Sequence, residues 1–459
     1  MTKSLTLLVK IGVIQGFEHI YGAKVIIKKI NWGKTMNGIK PISSNQRTWT
    51  GFDFFLLWAG AAVSLAEIWA GGILVPMGYI TGFIVILLGH LIGNTPLALG
   101  GLVGSKWGIP TMVSTRPAFG VRGSYIPASL NIFQLIGWTA VMVWIGGQTA
   151  ATFTQGSSLY TAKFWILLLG VVTTLWALVG YRFWKWLHRI AVTALVILCL
   201  IMTYVVFKEY GIGSLLQAKA NGDLPFMLGL DYVIVMPISW LPLVCDYSRY
   251  AQTDRGSFWG TWIGYFLVSS WMYLIGLSAA LATKSPTPEA MVLELMISFG
   301  LVVPAMVIVL FSTFTTTFLD IYSTAVSASN IYSRLGEKKG VVLGGACGTI
   351  LALIFGAYPE TYTHFLEIIG YIFCPLFGVV LADYFFIRKR ILLTDELFAR
   401  GAYWYTNGIH WTAIGCWALG AVLFKLGRGW QVGGAIPSFI VAAALYLIVK
   451  KGSGKPENS

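Results

Sequence analysis

Apolar runs about twenty residues long recur along most of the chain, separated by short polar stretches. A bilayer's hydrocarbon core takes about 20 apolar residues as a helix, so the pattern predicts a bundle of spanning helices. Twelve candidate spans are readable, near 54–75, 78–102, 125–151, 162–181, 189–208, 227–245, 258–283, 297–330, 340–357, 363–387, 408–427 and 434–450. Residues 1–35 differ: their apolar runs are short and interrupted by Lys10, Glu18 and Lys24. That stretch lacks the continuous apolar centre of a signal peptide. It reads as an amphipathic surface segment, or as a disordered or non-native extension ahead of Met36, which opens a second reasonable start.

Two spans break the apolar rule. The first, LLWAGAAVSLAEIWAGGILV at 56–75, holds Glu67 at its middle. A charge there costs about 2.5–3.5 kcal/mol on insertion scales, so it is expected to face a cavity, a partner or a substrate. Gly60, Ser64, Gly71 and Gly72 in the same run favour close packing or a broken helix. The sixth span reads VIVMPISWLPLVCDYSRY. Pro237 and Pro242 each remove a backbone donor, and around Ser239 and Trp240 they predict a second broken helix lining a cavity. Two irregular spans five apart point to inverted five-helix repeats with a site at the membrane midplane.

Other polar groups fall in the second, third and eighth spans. Gln134 and Trp138 are four apart and share a helix face. In VLFSTFTTTFLDIYSTAVSASN, the hydroxyls of Ser312, Thr315 and Thr316 share a face and suit a small hard cation. The plainer alternative is bonding back to their own helix. Asp320 follows one turn later. His90 sits beside Gly89 and Gly93, where a packed, hydrogen-bonded histidine is the plain reading and a proton-coupling role the sharper one.

Composition agrees with a membrane. The chain is 56% hydrophobic and 11% charged, against about 25% charged in soluble domains. Its net charge of +14 is dispersed between apolar spans, which argues against nucleic acid. With the amino terminus placed inside, the inner loops and tail carry eighteen lysines and arginines and the outer loops six. That bias predicts both termini in the cytoplasm. The five cysteines form no CxxC and read as small buried hydrophobes. HExxH, GxSxG and a complete Walker motif are all missing, and GKT at 33–35 follows Lys28 where a phosphate loop needs glycine. The chain is therefore not read as an enzyme.

AAVSLAEIWAGG in the first span, RPAFGVRGSYIP before the third, CDYSRYA after the sixth and LADYFFIRKR after the tenth resemble the nucleobase–cation symporter-1 family, in its bacterial cytosine-permease-like branch. The likeness covers roughly residues 45–450. VSLAE, LLGHLIG and LNIFQLIGWTAVM are most similar to the subgroup assigned to uptake of hydroxymethylpyrimidine, the thiamin precursor. The resemblance implies an all-α, leucine-transporter-type fold. A cytoplasmic N-terminal segment occupies 1–45, ten core helices in two inverted five-helix repeats 46–390, two peripheral helices 391–450 and a cytoplasmic tail 451–459. It also implies cation symport by alternating access, by a monomer in the bacterial cytoplasmic membrane, without a cofactor.

Carried over by position, the family's sodium ligands fall on the carbonyls of Gly60 and Val63 and on Ser312, Thr315 and Thr316. Protons remain the alternative that Glu67 and His90 leave open. The family's stacking aromatic falls on Trp138, its glutamine one turn on falls on Met142, and its base-contacting asparagine falls near Thr317. Gln134 is a substitute for the missing glutamine. The polar stretch of the sixth helix falls on Met236 to Trp240. These departures argue against plain cytosine or a purine. An acid such as Glu67 pairs well with an aminopyrimidine's exocyclic amine and adjacent ring nitrogen, with the ring between Trp138 and Trp240. Ser64, Ser239 and Asp320 complete the expected substrate-binding set. The alternatives are another nucleobase such as cytosine and, from a different class, a membrane-embedded enzyme or a sensor. Without a catalytic constellation or a sizeable soluble domain, the last two are disfavoured.

Cysteines replacing Arg182 and Asn221 are expected to react with an impermeant thiol reagent from opposite sides of the membrane. Labelling of both from outside the cell would overturn the twelve-span arrangement.

Overall fold

The first span is two helices. Gly51–Ala62 and Leu65–Gly72 meet at Val63 and Ser64 and are bent by 59°. The first half starts on a capping box, in which Thr50 and Asp53 bond each other's backbone. The second starts on Ser64, whose hydroxyl accepts from the Glu67 amide at 3.1 Å. The computed structural model describes residues 38–154, 161–179, 181–283, 302–354 and 359–452. The segment read from residues 1–35, the start of the expected eighth span and most of the tail lie outside these.

The remaining spans follow in order. They are Tyr79–Trp107, Tyr125–Phe153, Ala162–Val179, Tyr181–Tyr210, Phe226–Trp240 with Val244–Ser248, Asp254–Thr283, Val302–Ile331, Glu337–Ile354, Pro359–Ala382, Trp411–Gly429 and Ala435–Gly452. Seven, counting the bent first span once, are long and apolar enough to be read as spanning on their own. Large apolar side chains such as Phe133 and Ile354 project from the surface, as a hydrocarbon solvent permits.

Two expectations change. Pro237 lies inside a continuous helix, and the sixth span breaks only at a 3-10 turn, Leu241–Leu243, around Pro242. The loop expected at 182–189 is helix: Tyr181–Tyr210 begins there, so Arg182, Lys185 and Arg189 sit on its first turns. Arginine and lysine are good helix formers, so a basic stretch between apolar runs need not end a helix.

Packing reveals the internal repeat. The first span packs on the seventh, as the sixth does on the second. The third lies on the ninth and the eighth on the fourth, while second–seventh, third–eighth and fourth–ninth pair with each other. The fifth lies against the first, as the tenth does against the sixth. Adding five to each number maps this set of contacts onto itself, as two five-helix repeats require. The last two spans pack outside, on the tenth and on each other.

Glycine makes the central crossings possible. A Cβ on Gly276 would strike the Ile68 carbonyl oxygen, and one on Gly71 would strike that of Tyr273. The seventh span thus lies backbone to backbone on the second half of the first, the small-residue packing used inside membranes. Gly276→Ala is expected to cost about 1–3 kcal/mol by overpacking, read as a lower melting temperature. Gly415→Ala, with no atom within 4 Å of its Cβ, should leave it unchanged.

Candidate functional site

The break in the first span exposes opposite helix ends. The last carbonyls of Gly51–Ala62 carry partial negative charge, and the first amides of Leu65–Gly72 carry partial positive charge. Glu67 stands in that positive first turn, buried and only 2% exposed. Its carboxylate turns toward the seventh span. Tyr265 donates to Oε1, and Ser269 lies 2.7 Å from Oε2. Tyr265 in turn accepts from Trp240 Nε1 at 2.9 Å. Each carboxylate oxygen keeps a further lone pair.

Beside Glu67 is a space of about 250 Å³ lined by residues of the first, third, sixth and eighth spans. Ser64, Glu67, Trp138, Ser239, Trp240 and Asp320 all border it, with Ala66, Met142, Met236 and Thr316.

Several groups around the space lack partners. Asp320 is buried with no hydrogen bond to Oδ2, and Trp138 Nε1 and Thr317 Oγ1 are also unpaired. Buried polar atoms normally find partners. Trp138 is held edge-on by Tyr362 and Phe365, at ring distances of 6.1 and 5.1 Å. Gln134 and Thr317 do not border the space. Gln134 is instead tied by Nε2 to the Ser239 carbonyl, 2.8 Å away, and to Asn131.

The other end of the break meets the eighth span. Thr315 Oγ1 lies 3.4 Å from the Gly60 carbonyl, 3.2 Å from that of Ser312 and 3.0 Å from that of Phe311. Its single proton serves one of these oxygens at a time. Thr316 Oγ1 lies 3.4 Å from the Ala61 carbonyl. Gly60, Thr315 and Thr316 are therefore together, and Ser312 joins them through its carbonyl. Ala61 is an oxygen the sequence reading did not include. Among the described residues no cluster of three His, Cys, Asp or Glu side chains suits a metal, so hard backbone and hydroxyl oxygens are the available donors.

Sequence reasoning missed Tyr265 and Ser269, the groups that hold Glu67. It expected five buried cysteines, whereas Cys347 is exposed on the ninth span and the other four are buried. Residues facing lipid are as apolar as those facing the core, so the pattern alone does not separate them.

A profile of permeases for cytosine/purines, uracil, thiamine and allantoin matches residues 41–449. The chain belongs to this permease family. The permease is 23% identical to the hydantoin permease of Microbacterium maritypicum over 335 residues, 68% of each chain. It is 28% identical to the cytosine permease of Escherichia coli K12 over 350 residues, covering 75% of this chain and 77% of that one. Its fold is similar to Mhp1, a nucleobase-cation-symport-1 family transporter, in a closed conformation with bromovinylhydantoin bound. The TM-score is 0.83 at 21% identity, covering 93% of the permease and 98% of Mhp1. A Na⁺-coupled sialic acid symporter gives a TM-score of 0.64 at 12% identity, covering 89% and 91% of the two chains. The permease is thus a polytopic transporter of the nucleobase–cation symporter family, with the leucine-transporter-type fold, and not an enzyme.

Proposed function

We propose that the permease imports 4-amino-5-hydroxymethyl-2-methylpyrimidine, or a close aminopyrimidine, across a bacterial cytoplasmic membrane. The observation that carries this reading is the pairing of two acids, Glu67 and Asp320, with two indoles, Trp138 and Trp240, around one small space. An exocyclic amine donates two hydrogen bonds, and a neighbouring ring nitrogen accepts one. Asp320 is an acceptor without a partner on Oδ2, and Glu67 has lone pairs left over. The indoles supply flat apolar faces. Met142 and Met236 border the same space and offer a soft wall to the ring's methyl group. The second reading is cytosine, which also carries an amine beside a ring nitrogen; the 28% identity to a cytosine permease favours it.

Sodium is the proposed coupling ion. The carbonyls of Gly60 and Ala61 at a helix C-terminus, with Thr315 and Thr316 against them, are the kind of oxygen set that broken helices offer to a cation. The Val63 carbonyl completes the proposed set. The placement of both termini in the cytoplasm rests on the loop charges described above, and inward transport by a monomer rests on the family resemblance.

A thermal-shift screen of the purified permease with hydroxymethylpyrimidine, cytosine, uracil, hydantoin and allantoin tests the substrate. A bound ligand raises the melting temperature by mass action. Hydroxymethylpyrimidine should give the largest shift, and a larger shift with cytosine would replace this reading by the second. Glu67→Gln should weaken aminopyrimidine binding by about 1.5–3 kcal/mol, the scale of a charged hydrogen bond. Its ligand-free melting temperature near pH 6.5 should hardly move, because an amide can still bond Tyr265 and Ser269.

Thr315→Ala together with Thr316→Val should weaken sodium stimulation of uptake more than substrate binding at saturating sodium. Uptake by the unmodified permease that is equally fast without sodium and follows a proton gradient would refute the ion assignment.

A further inference from the structure

Behind Glu67, away from the substrate space, a row of hydrogen bonds crosses from the first span through the seventh to the second. Glu67 Oε2 is 2.7 Å from Ser269 Oγ, and Ser269 Oγ is 2.5 Å from His90 Nε2. His90 Nδ1 is 2.9 Å from the Ile86 carbonyl oxygen. All three side chains are buried, with His90 and Ser269 at 0% exposure.

The donors in this row can be counted. A carbonyl only accepts, so Nδ1 carries a proton and points it at Ile86. Ser269 has one hydroxyl proton and two neighbours. If Glu67 were a carboxylate and His90 a neutral imidazole, both neighbours would be acceptors and one contact would be left without a hydrogen. Each buried contact is satisfied only when one more proton is present, and there are two ways to place it. With the proton on Glu67 Oε2, the carboxylic acid donates to Ser269 and Ser269 donates to Nε2. With the proton on Nε2, the imidazolium donates to Ser269 and Ser269 donates to the carboxylate. Passing between the two moves one proton along each hydrogen bond and changes no atom count.

We propose that Glu67, Ser269 and His90 form a buried proton site that holds one proton between them. Among the described residues, the titratable groups that face the row are three tyrosines and Asp320. Tyr265 and Tyr273 face the row from the seventh span, and Tyr362 from the tenth. The Tyr265 hydroxyl donates to Glu67, that of Tyr273 to the Tyr232 carbonyl and that of Tyr362 to the Ala66 carbonyl. Asp320 lies across the substrate space, and among the described residues no lysine or arginine pairs with Glu67. His90 is a positioning residue for Glu67. When the proton lies on His90, Glu67 meets a ligand as a carboxylate; when it lies on Glu67, the ligand meets an acid. This extends the proposed role of Glu67, and the test below needs no ligand.

At pH 7.5 the unfolded chain keeps neither proton, because free carboxyls titrate near about 4.3 and free imidazoles near about 6.5. The folded permease keeps one, so unfolding releases it. Above pH 7 this site makes the unfolding constant rise with pH, by at most about tenfold per unit while the folded site keeps its proton, and stability falls as pH rises. Glu67→Gln and His90→Gln each put an amide N–H where the shared proton served, so the row stays bonded without it. Ligand-free melting of the unmodified permease and both variants, followed from pH 6.5 to 8.5, should show a steeper decline for the unmodified protein by that one proton. Ser269→Thr, which keeps the hydroxyl, should retain the steep decline. Parallel curves merely displaced from one another would overturn the proposal. If one glutamine variant fails to fold, the other and Ser269→Thr still decide. If no aminopyrimidine binds but the curves differ by one proton, the substrate reading fails and the proton site stands.

Discussion

The interruption at Val63 and Ser64 is the constraint on which the rest of the site depends. A continuous helix would bury its carbonyls and amides in its own ladder. Breaking it leaves carbonyl oxygens on one side of the break and amides on the other, within one short segment. The oxygens of Gly60 and Ala61 face the hydroxyls of the eighth span. The amides support Ser64 and Glu67. Opposite electrostatic ends thus meet near one buried point, where small charges act strongly.

Holding such a break inside a bilayer requires neighbours close enough to satisfy the freed groups. The glycine contacts between the first and seventh spans provide that closeness, and Tyr362 caps the Ala66 carbonyl at 2.9 Å. A second set of ties lies at the ends of the spans. Arg249 joins the end of the sixth span to Tyr322 at 2.6 Å and to Glu337 at 3.7 Å. Arg428 joins the eleventh span to Glu367 at 2.5 Å and to Tyr232 at 3.0 Å. The centre is irregular because the crossings and ends around it are firmly fastened.

Much of this was legible residue by residue. Glycine, serine and a lone acid in one apolar run signalled the break, and the spaced hydroxyls of the eighth span signalled an oxygen-rich face. The two tryptophans border the same space. Tyr265 and Ser269 were not legible. A tyrosine and a serine among other small and aromatic residues of the seventh span carry no periodic signature, and their role exists only where another helix crosses. Pro237 misled for a related reason: neighbouring helices can compensate for its missing donor, so proline marks an opportunity for a break rather than a break. Gln134 was read as facing a ligand; its amide nitrogen is tied to the Ser239 backbone and its Oε1 is buried without a partner.

The two methionines bordering the central space have a consequence for how the permease changes over evolutionary time. An unbranched thioether chain with three rotatable bonds adapts to rings of different outline at little cost. If this space holds the substrate, as proposed, Met142 and Met236 make shape a weak discriminator and leave choice among heterocycles to the fixed acids and indoles. Exchanging one polar group near them would alter which ring is preferred without rebuilding the cage. A family whose members carry such different small heterocycles can diversify in this way, with the helices left where they are.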